Sequence, residues 1–322
     1  MTQVLVPLGE PVVDALARCT LPPAGTEVAC AVSGGADSLA LLVLASLAGL
    51  AVTAIHVDHG LRPGSAGEAD HVRAVAERFG AAFEARAVRV APGPNLEARA
   101  RQARYDVLPA GVLTGHTADD QAETVLLNML RGAGIDGLAG MRATDRVVRP
   151  LLALRRHETR AVCAALCVDV VEDPSNGDRA LTRNRIRHEV LPLLAEAARR
   201  DPVPVLVRQA RLLAEEAAFL DGLAASIDPT DAGQLARAPV VLARRAVRDW
   251  LRGAAEAGRH PPSGAEVERV LAVARGRAVA CELSGGRRVR RSAGRLRLSA
   301  PGPAPGPGML GPPGCEGATS TE

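Results

Sequence analysis

"VACAVSGGADSLALLVLAS", residues 28–46, decides the fold. Val28 to Val32 are five mostly apolar residues, the length of a buried strand. From Leu39 the chain stays apolar long enough for a helix. Between the two stand Ser33, Gly34, Gly35, Ala36, Asp37 and Ser38. A bare turn needs fewer polar groups than this. A phosphate-holding loop uses all of them, because glycine lets backbone approach a ligand and the first N–H groups of a helix point at an anion. The plainer alternative is a turn in which Asp37 or Ser38 caps the helix.

The same alternation runs from about residue 27 to 115. "EVACAV" leads into a helix near 37–48, "AVTAIHV" into one near 66–79, "AAFEARAV" into one near 96–107, and "GVLTG" into one near 118–130. Strands alternating with helices predict an α/β domain: a parallel sheet with helices on both faces. Ligands of such sheets bind beyond the carboxyl ends of the strands. The Ser33 loop, "HVDHGLR" (56–62) and "GHTADD" (115–120) all fall at such ends, so three polar clusters share one edge.

After about residue 200 the texture changes. "DPVPVLVRQARLLAEEAAFLDGL" and "APVVLARRAVRDWLRGAAEAG" have the spacing of amphipathic helices, and "AVACELSGGRRVRRSAGRLRLSA" alternates with period two around a glycine turn. The expected division is an N-terminal segment 1–26, a nucleotide-binding catalytic domain 27–200, a smaller and mostly helical domain 201–300 ending in a β-hairpin, and a tail 301–322. That tail is too rich in Pro and Gly to pack.

Composition narrows the function. Apolar residues make up 47% of the 322 and aromatics 2%, so the cores are built from Ala, Val and Leu. The net charge of +3 is mild, and every cation is arginine. The absence of lysine removes the lysine-bearing GxxxxGK[ST] loop and Schiff-base chemistry. Cys19, Cys30, Cys163, Cys167, Cys281 and Cys315 form no CxxC, which argues against a disulfide framework or a structural zinc site and for a reducing compartment. Cys163 and Cys167 are taken as small core residues. The longest apolar run is too short for a membrane span and no leader is evident. The expected location is cytoplasmic.

Ser33, Gly34, Gly35, Asp37 and Ser38 match SGGxDS, and through it the chain resembles the PP-loop ATP pyrophosphatases. In those enzymes ATP is split between its α and β phosphates and a substrate oxygen is adenylated. The resemblance implies that residues 33–38 bind ATP, that Asp37 positions Mg²⁺, a hard cation suited to carboxylate and phosphate oxygens, and that backbone near Val57 contacts the adenine. His56, Asp58 and His59 allow a metal reading, but their place at a strand end already explains them. The run HVDHGLR is similar to one member family, the tRNA(Ile)-lysidine synthetases. More of that pattern follows in order: Glu97, Arg101, Arg104 and Tyr105 as ExxARxxRY, the stretch 115–141 close to HxxDDQxET…RGxGxxGLxGM, RPLL at 149–152, and DxSN…RNxxR…P at 173–192. Where the family often has two adjacent histidines, this chain has His116 and Thr117. The extra C-terminal domain of longer members is not expected here.

The resemblance implies a reaction and its partners. ATP adenylates C2–O of the wobble cytidine in a tRNA(Ile) with a CAU anticodon, pyrophosphate leaves, and free L-lysine attacks C2 through its ε-amine and expels AMP. A lysine amine has a free pKa near ~10.4, so a neighbouring base must take a proton. The catalytic candidates are Asp37, Arg101, His116 and Asp120. Asp120 and Glu123, three apart on one helix face, are expected to hold the lysine amines. Arg183 or Arg187 would take its carboxylate. Arg287, Arg288, Arg290 and Arg291 are expected to grip tRNA phosphates. Three alternatives stay open: a related tRNA thiolase, against which the missing CxxC speaks; a ligase adenylating a small metabolite; and an inactive nucleotide- or RNA-binding module. The oligomeric state, a homodimer among the options, also stays open.

Overall fold

A computed structural model of the chain describes residues 8–58, 65–88, 93, 96–142, 147–172, 177–254 and 262–299. The expected tail at 301–322, and His59 to Arg62 of the second polar cluster, lie outside them. In chain order the first elements are α1 (Glu10–Arg18), β1 (Glu27–Ala31), α2 (Ala36–Leu47), β2 (Ala51–Asp58), α3 (Ser65–Arg78), β3 (Ala82–Ala87) and α4 (Leu96–Val107). They are followed by β4 (Val112–Thr114), α5 (Ala118–Leu130), α6 (Ile135–Leu138), β5 (Val147–Val148), α7 (Arg156–Ala165) and α8 (Thr182–Arg185). A π-helical turn, Ile186–Val190, joins α8 to α9 (Leu191–Ala198). Then come α10 (Val203–Ala224), α11 (Ala232–Arg237), α12 (Val240–Gly253), α13 (Gly264–Ala274), β6 (Ala280–Glu282), β7 (Arg288–Ser292) and β8 (Arg295–Ser299).

The first five strands form one parallel sheet in the order β3-β2-β1-β4-β5, as the alternating pattern predicts. The chain steps outward from β1 to β3, then crosses back to place β4 on the other side of β1. The switch point therefore lies between β1 and β4, where parallel sheets open a ligand crevice. The Ser33 and Gly115 loops flank it.

The central packing element is α2. Ser38 to Ala45 are all buried, and a helix apolar on every side must be covered on every side. The sheet does this together with α1, α3 and α7. Residues 10–18, within the segment left unassigned by pattern, are part of this arrangement: α1 inserts Val12 and Ala15 into the same core.

One compact unit runs to Ala217 and a second begins at Ala218, so the break falls inside α10. The second unit packs α11, α12 and α13 around Leu235, Val247, Leu251, Val270 and Leu271, and against the buried faces of β7 and β8 through Val289 and Leu296. The glycine-turned hairpin of the sequence is present as β7–β8, but β6 precedes it, giving three antiparallel strands and two turns. Gly285 and Gly286 carry positive φ at the first turn, and Ala293 and Gly294 at the second. Two successive residues with positive φ suit a tight hairpin whose twist matches its strands. Among the described residues, no helix is long and apolar enough to cross a membrane.

Candidate active site

The loop after β1 is closed by its own side chains. Ser38 Oγ accepts from the Ser33 N–H at 3.1 Å and donates to the Gly35 carbonyl at 2.9 Å. Gly34 has φ +86°, and its carbonyl accepts from the Val171 N–H at 2.9 Å. Gly35 is the N-cap of α2 and offers no side-chain acceptor. Among the described residues the Ala36 and Asp37 N–H groups have no hydrogen-bond partner and stand ready for an anion, whereas the Ser38 N–H donates to the Gly35 carbonyl at 3.1 Å.

Asp37 stands in that first turn. One carboxylate oxygen accepts a hydrogen bond from Thr159 Oγ1 on α7, and the other lies 3.5 Å from Arg156 Nε. Burial lifts the Asp37 carboxyl above its ordinary range and the Asp120 charge adds to this, against the Thr159 bond and the Arg156 charge. Four residues beyond Thr159, Cys163 Sγ lies 3.5 Å from the Ala36 carbonyl. One face of α7 therefore grips the loop at two consecutive residues.

The Gly115 turn presses on this loop. A Cβ at Gly115 would lie 2.4 Å from the Asp37 carbonyl oxygen and 2.9 Å from the Ser38 nitrogen. These are backbone atoms, so the loop itself would have to move. Because ångström-scale misplacement of reacting groups costs on the order of 10²-fold, Gly115→Ala is expected to slow pyrophosphate release by about that factor with the circular dichroism unchanged. Release within threefold of wild type would show that the loop is not held by this contact.

At the start of α5 the two aspartates diverge. Asp119 takes Arg155 in a bidentate pair at 3.0 Å and 3.0 Å and accepts from the Arg156 backbone N–H at 2.8 Å, which caps α7. Asp120 accepts from both the N–H and the hydroxyl of Thr117 at 2.9 Å, a capping box in which Thr117 fixes the carboxylate. Its other oxygen lies 3.0 Å from Arg156, 3.7 Å from Arg183 and 3.9 Å from Arg187. Burial would raise the Asp120 carboxyl, but the Arg156 and Arg183 charges and the Thr117 N–H outweigh it and hold the group below its ordinary range.

Glu123 is 0% exposed and accepts from Arg187 Nε at 2.7 Å, Arg183 Nε at 2.8 Å and Arg156 at 3.3 Å. In this arrangement it offers no oxygen to a lysine amine; it anchors Arg183 and Arg187, which were expected to act on the ligand independently of it. The π-helical turn carries Arg187 to this position. Pro192 lacks the N–H that would continue the ladder, and in the turn before it Leu191 bonds back five residues to Ile186.

His116 Nδ1 sits 2.8 Å from Thr114 Oγ1. Burial pushes its imidazole down to about 4; the Arg101, Arg149 and Arg183 charges press the same way and Asp120 opposes them. The ring is neutral at pH 7. Arg101 stacks over the Tyr105 ring at 5.1 Å, and its field reaches His116. The structure thus brings Asp37, Arg101, His116, Asp120, Glu123, Arg183 and Arg187 into one electrostatic neighbourhood. Val57 is at the end of β2, paired with Arg86 across the sheet. His56 is buried with Nδ1 2.9 Å from the Val32 carbonyl, a tie between strand and loop. Among the described residues no group of three or more His, Cys, Asp or Glu could hold a metal by itself. Asp37 fits a magnesium ion that takes its other ligands from phosphate and water: a half-buried carboxylate at the mouth of an anion-binding loop.

Pattern and spacing missed Arg156 and Thr159, in "RRHET" just beyond RPLL. The two adjacent arginines there were the available signal. In the second unit, Arg287 is 9% exposed and donates to the carbonyls of Leu251 and Ala254 at 3.4 Å, so it ties the start of β7 to the end of α12. Arg291 donates to the Ala274 carbonyl at 2.9 Å. Arg288 and Arg290 are exposed, and Arg290 stands directly opposite Arg297. Like charges opposed across a sheet are unfavourable unless an anion joins them.

Comparison with known proteins gives the family and the fold. A family model described as a PP-loop domain matches residues 10–194. A tRNA(Ile)-lysidine synthase of Nocardia farcinica is 47% identical over 72% of this chain and 77% of its own length. One from Salinispora tropica is 42% identical over 87% of this chain and 92% of its own. Among solved structures, the U34-tRNA thiolase NcsA of Methanococcus maripaludis superposes with a TM-score of 0.50 at 19% identity, covering 63% of this chain and 77% of that one. That likeness concerns the fold alone.

Proposed function

The chain belongs to the tRNA(Ile)-lysidine synthase family of PP-loop enzymes, ATP-dependent ligases that form lysidine on tRNA(Ile), and from that premise we propose how its residues divide the work. The Ser33–Ser38 loop and the start of α2 receive the β and γ phosphates of ATP. Asp37 holds Mg²⁺, which when bound neutralises phosphate charge. The C2 oxygen of the wobble cytidine in a CAU anticodon attacks the α phosphorus, pyrophosphate leaves, and the RNA carries AMP. The observation that carries this reading is the seating of the Gly115 turn against Asp37 and Ser38, which sets the phosphate loop beside His116 and Asp120.

Free lysine then enters beside α5. Arg183 and Arg187 spend Nε and Nη2 on Glu123 and its neighbours. Among the described residues the Nη1 group of each makes no hydrogen bond, so these remain for the lysine carboxylate. Asp120 steadies the amine, and the neutral His116 ring, oriented through Thr114, accepts the proton as C2–N forms and AMP departs. Arg101 offsets negative charge on the departing phosphate.

The test is transfer of label from [α-³²P]ATP to a CAU transcript in the absence of lysine. Labelled RNA that is chased to AMP by lysine is the expected result. Pyrophosphate release without RNA labelling, driven by a small metabolite, would contradict it. Sulfur incorporation would place the chain with the thiolases.

In the second unit, Arg288, Arg290 and Arg297 contact tRNA phosphates. Replacing all three by serine is expected to lower the log–log salt slope of tRNA binding by about 2–3, at roughly 0.7–0.9 per contact. Turnover of bound tRNA should persist. An unchanged slope would make this face a solvated one.

A further inference from the structure

Arg156 is the first residue of α7, and its backbone N–H is fixed from behind by Asp119 at 2.8 Å. Its guanidinium reaches forward to three carboxylates: Asp120 at 3.0 Å, Glu123 at 3.3 Å and Asp37 at 3.5 Å. These contacts are not equivalent. Glu123 already has Arg183 at 2.8 Å and Arg187 at 2.7 Å, so it does not depend on Arg156. Asp120 has the two Thr117 donors as well. Besides Arg156, Asp37 has the Thr159 hydroxyl on one oxygen. Its other oxygen meets Arg156 across an ion-pair distance too long for a hydrogen bond. Among the described residues that oxygen has only this long contact with the Arg156 guanidinium, which is the condition in which a harder cation could replace it.

We propose that Arg156 is a positioning residue that occupies the divalent-cation place at Asp37 until nucleotide arrives. It compensates the Asp37 charge in the empty site. It withdraws onto Asp120, Glu123 and the incoming phosphates when ATP carries the ion in. The proposal rests on Asp37 as the ion's ligand. Its consequence is that a divalent ion binds weakly without nucleotide, because the ion must first displace a tethered unit charge.

The test is Mn²⁺ binding, followed by electron paramagnetic resonance, to the full chain without nucleotide. Wild type is compared with Arg156→Met, Arg156→Lys and Asp37→Asn. Removing a unit charge a few ångströms from a partly buried site is expected to tighten Mn²⁺ by roughly tenfold or more in Arg156→Met. Arg156→Lys keeps the cation and should bind as weakly as wild type. A loosened site would bind the ion less well, so tightening separates this role from a structural one. If Asp37→Asn abolishes binding while Arg156→Met binds no better than wild type, displacement is overturned and Asp37 remains the ligand. If Asp37→Asn binds Mn²⁺ normally, both the proposal and the reading of Asp37 fail.

Discussion

Asp37→Asn is expected to cut ATP-dependent pyrophosphate release by on the order of 10²–10³-fold, the usual cost of losing one preorganised electrostatic contact at a reacting centre. The fold should survive. Asparagine matches aspartate in shape, its amide oxygen can still accept from Thr159, and the residue sits in the first turn of α2, which the sheet and α1, α3 and α7 hold independently. The change removes the negative charge that faces the phosphate loop. Tm should stay within a few degrees, since the lost partner is one ion pair at 3.5 Å. Release within threefold of wild type would remove Asp37 from the chemistry.

Glu123→Gln is expected to act through stability first. The wild-type carboxylate is buried and shared by Arg156, Arg183 and Arg187, whose side chains are only 21–29% exposed. Removing one partner of a buried ion cluster leaves charges uncompensated and costs about 3–5 kcal/mol. For a domain of this size each kcal/mol lowers Tm by roughly 2–4 °C. The loss should be visible by calorimetry before any assay. Activity should fall for ATP and lysine together, because the three arginines lose their common anchor. A normal Tm with a raised KM for lysine alone would restore Glu123 as an amine ligand and refute the anchoring role.

The difference between these two acids shows what the sequence carried. The place of Asp37 was legible because the pattern around it is local: a strand, two glycines and a helix start within twelve residues. The parallel sheet was legible for the same reason, each βα unit declaring itself by period and turn chemistry. The spacing of Asp120 and Glu123 correctly placed both on one helix face. It could not show that Arg156, Arg183 and Arg187, 33 to 64 residues further on, converge on Glu123 and cover it. Thr159 and Asp37 are 122 residues apart, a contact that no periodicity reports. Two-residue β5 is too short to have a period, and the π-helical turn before Pro192 departs from the period used to read helices. Arg287 sits one residue ahead of the alternating strand, where pattern gives no inward or outward assignment.

In the proposed reaction one ATP couples one lysine to one cytidine. The direct measurement is incubation of the full chain with ATP, Mg²⁺, labelled lysine and a tRNA(Ile) transcript bearing CAU. The expected result is one lysine per tRNA, covalently retained after denaturation, with one AMP and one pyrophosphate released per lysine, and none in a transcript whose wobble cytidine is replaced by uridine. Equal labelling of the uridine transcript, or AMP release with no lysine retained on RNA, would contradict it.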